Sequence, residues 1–320
     1  MHSSDPAPLA RSPEPPTSSP ADEVTEDPLL RAIGETPLIP LRRIVDGAGF
    51  ELWAKAEFLN PTGSVKDRAA LEIVREGRSK GLLGPGRVLL DASSGNTAVA
   101  YAFLGARLGF GVELCIPRNA NPDRVARLAA YGAETVFTDP AEGTDGAQRE
   151  ARRRASGHPN RYWYPDQYNH PANPLAHFRH TGPEIWRQTA GRVTHFVAGV
   201  GTGGTISGTG RFLKERRPDL TVVAVEPDGP IHGLEGLKHL PTALRPGTYD
   251  ARVVDRTIRM ETERALEMRR RLAVEEGLIV GASSGAAVAA AADVGRSNPG
   301  AIVVTVLPDG ERSIPSDRAP

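Results

Sequence analysis

Lys66 lies in the run Asn60-Pro61-Thr62-Gly63-Ser64-Val65-Lys66-Asp67-Arg68. Asn-Pro and Thr-Gly-Ser are turn and helix-start chemistry, so Lys66 falls at or near a helix N-terminus. The macrodipole there disfavours a cation. The lysine's pKa is therefore expected to fall, and a neutral amine is what Schiff-base chemistry requires. Lysine is also scarce: Lys55, Lys66, Lys80, Lys214 and Lys238 stand among 39 basic residues.

Three small-residue junctions accompany it. Ser93-Ser94-Gly95-Asn96-Thr97 offers hydroxyl and amide side chains and free backbone N–H groups at a helix start, the makings of an anion site. Gly199-Val200-Gly201-Thr202-Gly203-Gly204-Thr205 lies between a strand and a helix. Its glycines let the backbone approach a phosphate, and the helix dipole favours the charge. Gly281-Ala282-Ser283-Ser284-Gly285 opens an alanine-rich helix and leaves room for a flat ligand. Taken alone, the first and third are ordinary capped helix starts. The second has more glycine than a turn needs.

The middle loop also fits the dinucleotide fingerprint, with Glu226 closing the next strand where a ribose-binding acid is expected. An NAD-dependent dehydrogenase therefore stays open on these residues. That reading leaves the Lys66 and Asn96 segments without a task.

The elements that must position these groups alternate. Strand-like runs cover 87–90, 111–116, 134–137, 194–198, 221–225 and 301–307. Apolar residues at helical spacing cover 68–80, 97–108, 121–131, 204–217, 261–276 and 285–296. Such alternation predicts an α/β fold with parallel sheets covered by helices. The chemistry-bearing runs fall at strand–helix junctions, where open α/β sheets place ligands.

Composition narrows the partners. The 320 residues suffice for two domains, with 39% apolar and 24% charged residues and zero formal net charge. Nothing in that balance favours nucleic acid or an anionic membrane, and the longest apolar runs are too short to span a bilayer. The one cysteine, Cys115, excludes an internal disulfide and a multi-cysteine metal site and reads as a buried hydrophobe. Residues 1–28 are rich in proline and polar residues and are expected to be a disordered tail. With no secretory signal pattern, the expected setting is cytoplasmic.

From about Leu30 to Arg312 the chain resembles the cysteine synthase and cystathionine β-synthase family of pyridoxal-phosphate (PLP) enzymes, of the tryptophan synthase β-subunit fold. Asn60 to Arg68 resembles its lysine motif. Gly34-Glu35-Thr36-Pro37-Leu38, Gln167-Tyr168-Asn169-His170-Pro171-Ala172-Asn173-Pro174, Thr181-Gly182-Pro183-Glu184-Ile185-Trp186 and Pro308-Asp309-Gly310-Glu311-Arg312 resemble further family segments. The last of these is one residue short of the usual pattern. The resemblance implies fold type II: two three-layer α/β domains with parallel-rich sheets and PLP in the cleft between them. The smaller would span 60–170, the larger 30–59 and 171–320. It implies that Lys66 holds PLP covalently and moves the α-proton, and that Asn96 bonds the ring oxygen. Gly201, Thr202, Gly203, Gly204 and Thr205 would bind the phosphate, and Ser283 would face the pyridine nitrogen. Ser93, Ser94, Thr97 and Gln167 would hold the substrate carboxylate. No metal is implied. The implied reaction is β-replacement on O-acetylserine or O-phosphoserine by a sulfur nucleophile, giving L-cysteine or an analogue by way of an aminoacrylate, in a homodimer. A homocysteine-using enzyme of the cystathionine β-synthase type is the family alternative. Lys238, in a segment that borders the family's substrate entrance, could supply the cation that a phosphorylated donor needs.

Overall fold

The computed structural model describes residues 27–93 and 95–310. The expected tail, Ser94, Glu311 and Arg312 lie outside these residues, apart from Asp27 and Pro28 at the tail's end.

The described chain builds two sheets. Its strands are β1 (Leu38–Pro40), β2 (Glu51–Ala56), β3 (Val88–Ala92), β4 (Gly111–Pro117), β5 (Glu134–Thr138), β6 (Tyr162–Trp163), β7 (His195–Gly199), β8 (Thr221–Pro227), β9 (Arg256–Met260) and β10 (Ile302–Leu307). The helices are α1 (Pro28–Arg31), α2 (Lys66–Ser79), α3 (Asn96–Leu108), α4 (Pro122–Ala130), α5 (Gly143–Gly157), α6 (Ala172–Ala176), α7 (Gly182–Gln188), α8 (Gly204–Arg216), α9 (Thr262–Glu276) and α10 (Ala282–Arg296).

The larger sheet runs β1-β2-β10-β7-β8-β9. Only the β1–β2 pairing is antiparallel. Its inner strands β7, β8 and β10 are apolar on both faces along most of their length, as sheets covered on both sides require. Val197, Val223, Val225, Val303 and Leu307 face one core with the apolar sides of α9 and α10. Phe196, Ala198, Val222, Ala224, Val304 and Val306 face another with Ile185 of α7 and Ile206 and Leu213 of α8. Three layers result. The alanine-rich α10 comes close to α9 because Gly285 has no side chain: a Cβ there would lie 2.1 Å from the Ala265 carbonyl oxygen.

The smaller sheet, β5-β4-β3-β6, is entirely parallel. Leu89 and Leu114 face α2 and α3, while Leu90, Ala92 and Cys115 face Ala147 and Ala151 of α5. Cys115 is fully buried, and burial pushes its thiol up to about 12, which makes it an inert core residue.

Four strands and four helices escaped the periodicity reading: β1, β2, β6 and β9, and α1, α5, α6 and α7. Three helix starts, those of α2, α3 and α10, fall earlier than periodicity placed them. α2 begins at Lys66 itself, and α10 begins at Ala282, which puts Ser283 in its first turn.

Candidate active site

The site lies at the carboxyl ends of three strands. After β7, the chain turns through Val200 to Gly203 into α8. Gly203 has φ +88°, where glycine is favoured, and a Cβ on it would lie 2.5 Å from Cβ of Tyr249. A Cβ on Gly201 would be 2.2 Å from the Gly236 carbonyl oxygen, and one on Gly204 would be 1.9 Å from Asn173 Oδ1. Side chains at these positions would fill the loop, so the glycines keep a backbone cradle open at the head of a 13-residue helix. Asn173 Nδ2 donates to Thr202 Oγ1 at 3.1 Å, and the Thr205 hydroxyl meets His177 Nε2 at 3.3 Å. Burial holds His177 well below the usual histidine range. That shift favours the neutral ring, which can share a hydrogen bond with a threonine hydroxyl.

Lys66 is the first residue of α2. Its N–H donates to Ser64 Oγ at 3.2 Å, and the preceding Val65 N–H donates to the Pro308 carbonyl at 2.8 Å. Burial lowers the pKa of its amine, and the Asp309 carboxylate partly opposes that shift. The direction is the one its place at a helix start predicts, but the first cause is loss of water. Asn96, the first residue of α3, donates from Nδ2 to Asp309 Oδ2 at 2.7 Å. The other Asp309 oxygen is buried without a hydrogen-bond partner, and burial raises that carboxyl's pKa.

One cleft gathers these groups. Lys66, Ser93, Asn96, Thr97, Gln167, Gly201 and Thr202 line its outer part. Lys66, Asn96, Gly201, Gly203, Thr205 and Ser283 line its inner part. Ser283 is buried in the first turn of α10. Gly204 opens α8 behind the loop. Ser94 lies outside the described residues. Gln167 is buried, with its side-chain amide turned to the Ala92 carbonyl at 2.9 Å.

A phosphate cradle, an amine shielded from water and a buried hydroxyl, all within one cleft, fit a phosphorylated aromatic aldehyde that a lysine captures. They do not favour a dinucleotide. Glu226, which that reading needs beside the glycine loop, is buried against Arg259 at 3.4 Å and is not among the residues lining the cleft.

Periodicity missed four groups at this site: Asp309, Arg124, Glu235 and Asn173. Arg124 of α4 pairs with Glu235 of the opposite lobe across the cleft mouth. Asp309 and Asn173 stand in segments whose family likeness was legible. Nothing in the sequence points to Arg124, since a helical arginine is commonplace, and Glu235 is legible only as part of the segment near the substrate entrance.

Behind Lys66 lies a buried ionic cluster. Arg68 forms paired bonds to Glu57 (2.7 and 2.8 Å) and Glu184 (2.6 and 2.7 Å). Lys55 pairs with Glu184 at 2.7 Å. Thr36 Oγ1 donates to Glu57 at 2.7 Å, and Asn60 Oδ1 accepts the Gly34 N–H at 2.9 Å. The cluster ties α2 to β2, to α7 and to the Gly34–Thr36 turn.

Comparison with known proteins agrees with this geometry. A family profile described as pyridoxal-phosphate dependent enzyme matches residues 29–309. The chain is 47% identical over 289 residues to a cysteine synthase of Aquifex aeolicus, covering 88% of each protein. It is 43% identical over 285 residues to cysteine synthase B of Salmonella typhimurium, covering 89% of this chain and 93% of that protein. The crystal structure of a cysteine synthase from Entamoeba histolytica superposes with a TM-score of 0.84 at 30% identity, covering 97% of this chain and 91% of that one. The chain belongs to the pyridoxal-phosphate dependent enzyme family and takes pyridoxal 5'-phosphate as its cofactor.

Proposed function

We propose that the chain replaces the acetate of O-acetylserine with sulfide, giving L-cysteine. The observation that carries this reading is the convergence of Lys66, the Gly201–Thr205 loop and Ser283 on one cleft, in a chain similar to cysteine synthases along most of its length. When bound, PLP supplies an electron sink for negative charge at the α-carbon.

The chain's residues do the rest. N–H groups at the head of α8, with Thr202 and Thr205, would hold the phosphate. Ser283 would face the pyridine nitrogen. A hydroxyl there would not keep that nitrogen protonated as a carboxylate would, which would favour elimination at the β-carbon. Asn96 would bond the ring oxygen. Ser93, Ser94, Thr97 and Gln167 hold the donor's carboxylate. Lys66, whose amine is easily neutral in its dry setting, takes the α-proton and returns it. Purified protein supplied with PLP, O-acetylserine and sulfide is expected to form L-cysteine; no product would end the reading.

The homocysteine alternative lacks support, because the relatives described above are cysteine synthases. The division at 59/60 and 170/171, the cytoplasmic setting and the homodimer belong to this proposal too, resting on the family likeness. Among the described residues no helix is long and apolar enough to cross a membrane.

One observation favours a second donor. Lys238 lines the cleft, with Nζ 3.2 Å from Asp145 Oδ1 and 5.0 Å from the centre of the Tyr168 ring. A phosphorylated donor could take this cation, in competition with Asp145. Lys238→Ala is then expected to cost O-phosphoserine about ten-fold or more in kcat/KM while sparing O-acetylserine. Equal losses for the two donors remove Lys238 from donor choice.

A further inference from the structure

Beneath the cleft, β3 carries a carboxylate that the reaction as described does not use. Asp91 is fully buried, one residue from the end of the strand. Its Oδ1 accepts the Ala92 N–H at 2.7 Å, and its Oδ2 accepts the Gln167 N–H at 3.2 Å. Gln167 completes the circuit by donating from Nε2 to the Ala92 carbonyl at 2.9 Å. Two distant stretches of chain are thereby stitched side by side: the end of β3 that leads into Ser93, and the segment carrying Gln167. The line continues outward, since Asn173 Nδ2 donates to the Gln167 carbonyl at 2.9 Å as well as to Thr202 of the phosphate loop.

The surroundings of Asp91 make it costly. Burial pushes its carboxyl up to about 7, opposed by the two backbone N–H groups and reinforced by Asp166. The buried Tyr101 hydroxyl is turned toward the Asp91 carboxylate and that of Tyr164 toward Asp166, each outside good hydrogen-bond geometry, and the Asp91 charge also reaches Tyr168. A carboxylate in such a place costs free energy unless its bonds do something that an apolar residue could not. Here they fix a spacing.

Resting on the reading of Ser93 and Gln167 as holders of the donor's carboxylate, we propose that Asp91 is a positioning residue that sets the distance between those two segments and so the fit of the donor.

The test is steady-state kinetics on the PLP-loaded enzyme. Asp91→Asn presents an N–H where a second acceptor is needed, so one stitch opens with little change in volume. The KM for the amino-acid donor is expected to rise about ten-fold or more, with kcat changed less than about three-fold. The KM for sulfide and the visible absorption of the bound cofactor stay unchanged, because neither depends on that spacing. Lower thermal stability with an unchanged donor KM overturns the proposal.

Gln167→Ala separates this proposal from the reading beneath it. If Gln167→Ala leaves the donor KM unchanged, the carboxylate site itself is misassigned. If Gln167→Ala raises it and Asp91→Asn does not, only the role of Asp91 falls. In the double variant the two effects are expected not to multiply, because one acts through the other; full multiplication overturns the linkage. Should Asp91→Asn not fold, Asp91→Glu keeps the charge and changes the reach. Its donor KM is expected to rise about three-fold or more, and an unchanged value overturns the proposal.

Discussion

Lys66→Ala is expected to abolish turnover, lowering kcat by at least the 10²–10⁴-fold (about) that one positioned acid–base group supplies, and to remove the visible absorption that depends on the lysine–cofactor link. Two features of the site set this size. Burial lowers the amine's pKa, which in the proposed reaction lets one group serve as both nucleophile and proton carrier, so one substitution would remove both capacities. The amine also enters the cleft from the first residue of α2, a helix held at its start by Pro308 and Ser64. None of the other four lysines can take over. Lys55 is locked to Glu184, Lys80 and Lys214 are paired with Glu76 and Asp255 away from the cleft lining, and Lys238, which does line the cleft, is held by Asp145 and lies over the Tyr168 ring. Absorbance spectra and steady-state assays of the purified variant check the prediction. Near-normal activity would mean that a different group carries the chemistry.

Glu184→Ala is expected to cost about 3–5 kcal/mol of stability, the penalty for stranding a buried charge. It leaves both Arg68 and Lys55 short of a counterion, with side-chain exposures of 2% and 0%. For a chain of this size that is a fall in Tm on the order of 10 °C, to be read by calorimetry of the cofactor-loaded protein. A loss below about 1 kcal/mol would place the cluster among exposed ion pairs, which contribute that little. The cluster also implies a pH dependence. Burial alone would raise the Glu57 and Glu184 carboxyls, but Arg68, with Lys55 at Glu184, outweighs it and holds both below the ordinary value of 4.5. A depressed carboxyl contributes stability above its unfolded pKa and loses it as pH falls through its folded pKa. The native enzyme is therefore expected to unfold in acid below the usual glutamate range. In Glu184→Ala the acid limb should be shallower.

The α/β alternation was legible because most strands and helices carry unbroken periodicity. Several of the runs that hid bury polar or charged residues, and others are too short to show a period. Strand β2 contains Lys55, which is buried by virtue of its partner rather than its side chain. Helix α5, rich in arginine, buries only Gly146, Ala147, Gln148 and Ala151, too thin a stripe to read. Helices α6 and α7 are short and joined by a π-helical turn, His177–Thr181, which breaks the 3.6-residue rhythm. At the site, the Gly199–Thr205 loop announced itself through glycine content, and Lys66 through its place at a helix start. The convergence of Ser93, Gln167 and Asp309 was out of reach of spacing. They lie on separate strand ends, and only the completed sheets make them neighbours.

Strand β10 is the last strand described, yet it lies in the middle of the larger sheet, between β2 and β7. Ile302 pairs with Glu51, and Val303 with His195. A ribosome delivers this chain in order, so β2 and β7 emerge long before the strand that joins them. Until then both present unpaired edges, the condition that invites aggregation. The smaller sheet, complete once Trp163 is made, can close early. Synthesis in this order leaves the larger sheet open, and the cleft incomplete, until β10 is made, and pairing strands so far apart in sequence is intrinsically slow. Any need this protein has for chaperones should therefore be concentrated in the interval between translation of β7 and release of β10.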